Sequence, residues 1–102
     1  MIKQKGIGIQ MELASIKELI KIGMHYLDNL FKFNPDMLDI KYQIDEFNHD
    51  WEIAYHIVSV YSIKPVFILT DLLNKDDETI AEYRLILDQN KDFLDEFFIT
   101  YN

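Results

Sequence analysis

One stretch of this chain carries a helical period, and the longer remainder alternates in twos. From Met11 to Phe33, the residues Leu13, Ile16, Ile20, Gly23, Leu27 and Leu30 recur every three or four positions. Leu19, Ile22, Tyr26 and Phe31 widen that stripe, while Lys17, Lys21, Asp28 and Lys32 fall outside it. The pattern predicts an amphipathic helix with one face to bury. Gly23 interrupts it at a cost of about 1 kcal/mol against alanine, which close packing would offset. Asn34-Pro35 ends the helix, because the residue before a proline is pushed out of the helical region.

Beyond the proline the period changes. Ile40 to Phe47 alternates, with Ile40, Tyr42 and Ile44 on one face. Asn48 to Asp50 reads as a turn, and Trp51 to Ser62 is rich in aromatic and β-branched residues, as strands are. A tight loop at Asn48-His49 would set Ile44 opposite Ile53, Tyr42 opposite Tyr55 and Ile40 opposite Ile57. Lys64-Pro65 marks a strand end or a sheet edge. Val66 to Leu73 fits either a buried strand or a short helix, and Asn74 to Glu78 reads as a solvated loop.

The closing segment, Ala81 to Asn102, reads as a hairpin. A three-residue loop of Gln89, Asn90 and Lys91 pairs Asp88 with Asp92, Leu87 with Phe93 and Tyr83 with Phe97. On the other face Ile86 meets Leu94 and Arg84 meets Glu96, an opposite-charge pair. Asn90 or Lys91 then takes the left-handed conformation. A slip of one residue sets Ile86 opposite Asp95 and Arg84 opposite Phe97, which is the poorer match.

These elements predict one α+β domain over residues 1–102, with an arm or edge strand over 1–10, the helix over 11–33 and the sheet over 40–102. The helix lies on a four-stranded, mostly antiparallel sheet, a two-layer arrangement of the cystatin type. A chain of this size buries roughly two-thirds of its unfolded surface, so one core suffices without crosslinks. There is no cysteine, which excludes disulfides and thiolate chemistry and fits a reducing compartment. The N-terminal residues lack the apolar core of a signal peptide, and no apolar run reaches membrane-span length, so a soluble cytoplasmic protein is expected.

The formal charge of -8 is unevenly placed. Met1 to Phe33 holds five lysines against three acids, and the remainder holds fifteen acids against five bases, a net of -10. An acidic body argues against nucleic acid, because phosphates need lysine and arginine. It suits solubility or a basic partner.

No catalytic, cofactor or metal motif emerges. His49 and His56 have neither HxH nor HExxH spacing, and a metal site needs three or four convergent ligands. His25 on the helix reads the same way. Asp76, Asp77 and Glu78 lack the glycine and terminal glutamate of a calcium loop. Asp45, Asp50 and Glu52 surround a turn, without the cleft that a carboxylate pair needs. Trp51, the only tryptophan, reads first as a core anchor and second as a binding hot spot. The final strand stands out. Phe93, Phe97, Ile99 and Tyr101 share one face, with Leu94 and Phe98 on the other, and a strand apolar on both sides is usually covered on both. One helix covers one face, which leaves the other to Val66–Leu73 or to a protein partner, such as a second copy in a homodimer.

Trp51-x-Ile53, Lys64-Pro65, Asp71-x-Leu73, Ala81-x-Tyr83-x-Leu85-x-Leu87-Asp88 and a last strand ending in Tyr101 succeed one another in an order that resembles the gas vesicle protein O family. The resemblance covers about the last half of the chain. It implies a non-enzymatic accessory protein of gas vesicle assembly that works through protein contacts. The chain departs from that pattern at the turn, polar around Lys91, and in the final strand, acidic and aromatic rather than arginine-rich. The expected function is therefore a small non-catalytic interaction module. Two alternatives are an acidic inhibitor or immunity-type protein that blocks a basic surface, and a small-molecule binder using Tyr42, Tyr55 or Tyr83 between helix and sheet.

Overall fold

The computed structural model describes residues 2–6, 13–34, 40–58, 60–61 and 63–101. Met11, Glu12, Pro35 and Ser62, at the ends of the expected elements, lie outside the described residues. In chain order the elements are β1 (Ile2–Gly6), α1 (Leu13–Phe33), a single 3₁₀ turn (Ile44–Glu46), β2 (Asn48–Ile57), β3 (Pro65–Lys75), β4 (Glu78–Leu87) and β5 (Phe93–Thr100).

Strands β2 to β5 form an antiparallel meander, and α1 packs across one of its faces, the α+β arrangement that the periodicity predicts. β1 joins the β2 edge in parallel, Ile2 beside Trp51 and Gly6 beside Tyr55. Parallel neighbours need a crossover connection, and α1 lies within it. The arm or edge strand expected at the N-terminus is thus an edge strand over Ile2–Gly6.

Among the described side chains of α1, Ile16, Leu19, Leu27 and the backbone at Gly23 are buried. They meet Trp51 and Ile53 of β2, Leu69 and Leu73 of β3, and Ala81, Tyr83, Leu85 and Leu87 of β4. Each fully buried leucine contributes roughly 1.5–3 kcal/mol. Gly23 lies directly over the Trp51 ring.

Three expectations need correction. Ile40–Phe47 is not a strand, so it makes no hairpin with Trp51–Ile57. β2 already has β1 on one side and β3 on the other, which leaves no open edge for it. The segment closes instead on local bonds: Gln43 N–H donates to Glu46 Oε2 at 2.6 Å, and Glu46 N–H to Gln43 O at 3.0 Å. Asn48–Asp50 is not a turn but the start of β2, with His49 opposite Leu73. Val66–Leu73 resolves to strand, inside β3. The loop at Asn74–Glu78 tightens to the pair Asp76-Asp77, with φ of 53° and 64°. Two positive φ values between antiparallel strands make the turn type whose twist suits a hairpin.

The third correction concerns the last hairpin. Its loop forms as expected: Asp88 N–H donates to Asp92 O at 2.9 Å, Lys91 N–H to Asp88 O at 3.0 Å, Lys91 has φ 66°, and Leu87 faces Phe93. One residue later the register shifts between Ile86 and Leu87. Ile86 then pairs with Asp95, Arg84 with Phe97 and Tyr83 with Phe98, the register that sequence matching disfavours. Tertiary contacts decide it. The shift turns Phe98 inward against Phe31, with ring centroids 5.8 Å apart, and brings Glu96 to the Tyr83 hydroxyl at 2.9 Å. Arg84 bonds Glu82 at 3.0 Å rather than Glu96.

Candidate functional site

Alternate residues of each strand face away from α1. On that outer face, Ala54, Ile68, Ile86 and Asp95 form one row, Glu52, Thr70, Arg84 and Phe97 the next, and Asp50, Leu72, Glu82 and Ile99 a third. The β2–β3 connection covers part of it. The Tyr61 hydroxyl donates to Asp95 Oδ2 at 3.2 Å, so this segment reaches over β3 and β4, and Val66 and Ile86 are buried. The other end stays open, with Phe97 43% and Ile99 50% exposed. Glu82 is fixed beside them: one oxygen accepts from Arg84 Nη2 and the other from the Tyr101 hydroxyl at 2.8 Å. That bond to Glu82 holds the Tyr101 hydroxyl above its ordinary pKa.

Among the described residues β5 is also an end strand, paired with β4 alone. Tyr101 N–H donates to Ile80 O at 2.8 Å. By strand alternation, the amides of Glu96, Phe98 and Thr100 then point away from β4. Glu96 N–H is already taken by Asp95 Oδ1 at 2.9 Å. This bond, the register shift and two acids guard the first half of the edge in the way natural edge strands are guarded. Phe97 to Thr100 carries no charge and no proline.

The residues singled out in the sequence therefore separate. Phe97 and Ile99 meet on the open face, with Tyr101 just beyond. Phe93 and Leu94 are exposed at the far end of β5, Phe93 with its ring 5.3 Å from Tyr26. Phe98 is half-buried on the helix side. Trp51 is 4% exposed, wedged between α1 and the sheet, and belongs to the core rather than to a partner surface. The three tyrosines considered for a small-molecule pocket have separate neighbours. Tyr42 lies beneath Lys75, Tyr55 stacks on Phe67, and Tyr83 is buried against Glu96.

A polar constellation that the sequence pattern does not assemble lies on the helix-covered face. Asp71 has no exposed surface and stands in the row of Trp51, Tyr83 and Phe98. Its Oδ2 lies 2.5 Å from His49 Nδ1, and its Oδ1 accepts Asp50 N–H at 2.9 Å. The other ring nitrogen of His49 lies 3.1 Å from Ile44 O. A carbonyl and a carboxylate both accept, so the imidazolium, with hydrogen on both ring nitrogens, is the form of the ring that serves both. Burial opposes that charge, but the Asp71 bond and charge, with the Ile44 carbonyl, outweigh it and hold His49 above its ordinary pKa. Burial pushes the Asp71 carboxyl up, offset only in part by His49 and Asp50 N–H. With both nitrogens engaged, His49 is not placed to act as a base or a metal ligand. The available signal is Asp71 itself, an acid in the apolar run Val66–Leu73 at an inward position between Leu69 and Leu73. A buried carboxylate requires a partner.

Among the described residues, no three or more histidines, aspartates and glutamates are grouped to hold a metal. None of the described helices is long and apolar enough to cross a membrane. No family model, curated protein or solved structure matches the chain.

Proposed function

We propose that the protein is a small non-catalytic interaction module that works through the open end of its outer sheet face and the adjoining half of β5. One observation carries this reading: Phe97 and Ile99 lie about half exposed, on an end strand whose last residues are uncharged. Exposed apolar side chains beside unguarded strand amides suit a protein partner. The engaged nitrogens of His49 support a role without catalysis.

The occupant we favour is a second copy. Paired with itself about a two-fold axis, the run Phe97–Thr100 would set no acid against acid, although the whole chain carries -8. The order of motifs from Trp51 to Tyr101 supplies the setting, a cytoplasmic accessory protein of gas vesicle assembly.

The test is mass in solution across a concentration series, by sedimentation equilibrium, for the wild type and for Phe97→Ser/Ile99→Ser. The wild type should dimerise and the variant should not. Salt separates the occupants: two acidic copies associate more tightly as salt rises, whereas a basic partner is released by it. A wild type that stays monomeric at millimolar concentration removes self-association.

A further inference from the structure

We propose that His49 is a proton-operated latch, which ties the connection before β2 to the middle of the sheet while both ring nitrogens are protonated and releases it when one proton leaves. The inference stands apart from the association surface, since it concerns the other face of the sheet.

The geometry is that of one ring between two acceptors. His49 is the direct contact between Asp71, wholly buried in β3, and the carbonyl of Ile44 in the 3₁₀ turn. A neutral imidazole carries one N–H and cannot serve both. Asp71 keeps it, because an unpaired buried carboxylate is the costlier loss. The Nε2 lone pair then faces the Ile44 oxygen at 3.1 Å, and lone pair against lone pair repels. The segment Gln43–Phe47, which carries the Ile44 carbonyl, is then the part that moves away. Phe47, now buried between Phe31 and Tyr42, would come into reach. The groove of about 480 Å³ that Met24, Ile44, Phe47 and His49 line would widen.

Other charges face the latch from every packed element. From α1, Lys21 and His25 disfavour the protonated ring and Asp28 favours it, as does Asp45 of the connection; the Asp50 carboxylate lies on the outer face and acts on Asp71, whose carboxyl it helps to push up. Tyr83 of β4 stands beside Asp71, with its hydroxyl given to Glu96. Among the contacts described for His49, Asp71 is the charged one within bonding distance, so it dominates.

The experiment is amide exchange of the full chain by NMR from pH 5.5 to 9, corrected for the intrinsic rate, with the ring nitrogens followed in the same samples. Glu46 N–H and Phe47 N–H, bonded to Gln43 O and Ile44 O, report on the turn. Their protection should fall by about ten-fold or more as His49 loses its proton, the size expected when a hydrogen bond from a charged donor is lost. Amides of β3 and β4 should not change. In Asp71→Asn the side-chain amide donates to a neutral ring, Nε2–H stays on Ile44 O, and the loss of protection should vanish. Titration of His49 without a change at Phe47 overturns the latch, as does a simultaneous loss across β3 and β4. Should Asp71→Asn fail to fold, the wild-type titration decides alone.

Discussion

Gly23 lies directly over Trp51: a Cβ on Gly23 would stand 2.6 Å from Trp51 Cη2 and 2.9 Å from Cζ3. The helix comes down on a flat ring at its one residue without a side chain. Alanine at this position gains about 1 kcal/mol of helix propensity. It also forces apart a contact between elements that are both otherwise buried, and overpacking of that kind costs roughly 1–3 kcal/mol. Gly23→Ala should therefore be destabilising on balance, by about 1 kcal/mol. Urea unfolding followed by Trp51 fluorescence measures it, and a midpoint that rises would show that the ring gives way freely.

The features legible in the sequence are the local ones. The stripe of α1 depends on neighbours three and four residues apart, and the Gln89–Lys91 loop depends on its own short turn. Both form where the residues place them. The alternation of Ile40, Tyr42 and Ile44 misleads, because the edge it needs on β2 is occupied by β1, more than thirty residues upstream. The register of β5 is hidden for the same reason. Pairing Arg84 with Glu96 satisfies two strands, whereas the observed register satisfies Phe31 on α1 and Tyr61 in the β2–β3 connection as well. Of the candidate site, Phe97 and Ile99 can be named from the sequence but not placed on the outer face. Asp71 is readable as an anomaly in an apolar run, but its partner His49 lies 22 residues away.

The β5 register makes a prediction that separates two adjacent phenylalanines. In the register of simple matching Phe97 faces Tyr83, and in the observed one Phe98 does. Phe98→Ala should cost about 2–3 kcal/mol, less than the 3–5 kcal/mol of a fully buried phenylalanine. Phe97→Ala should change monomer stability by under about 0.5 kcal/mol, as surface substitutions do. Denaturation at a protein concentration low enough to exclude association compares them, and the reverse order of effects would reinstate the simpler register.

Stability should fall as pH rises from mildly acidic to mildly alkaline. The folded pKa of His49 is raised above its ordinary value of 6.5, so its contribution is complete below 6.5 and is lost as pH climbs through the folded value. Asp71 acts in the same direction. Its range is a lower one: burial raises the folded carboxyl, so its contribution is complete below 3.8 and is lost as pH climbs through the folded value. Asp71→Asn should invert the slope above pH 6, because a neutral ring is then the form that fits. Thermal melts at pH 6 and 8.5 in one buffer system give the sign for each. Equal slopes in the two proteins would separate the pH response from this pair.

The β3–β4 turn offers a stabilising change. Asp76 and Asp77 both have positive φ, at 53° and 64°. Residues other than glycine pay for that conformation, aspartate less than most because its short side chain can bond locally. Asp-Gly is among the preferred pairs for a two-residue hairpin turn of this kind. Asp77 is exposed, and its removal also lowers the crowding of acids at Asp76, Asp77 and Glu78. Asp77→Gly should therefore stabilise the protein by about 0.5–1 kcal/mol, less the greater freedom that glycine gives the unfolded chain. The gain should appear as a higher urea midpoint with an unchanged slope, since the surface exposed on unfolding does not alter. A lower midpoint would mean that Asp77 makes a contact in the turn worth more than its strained backbone.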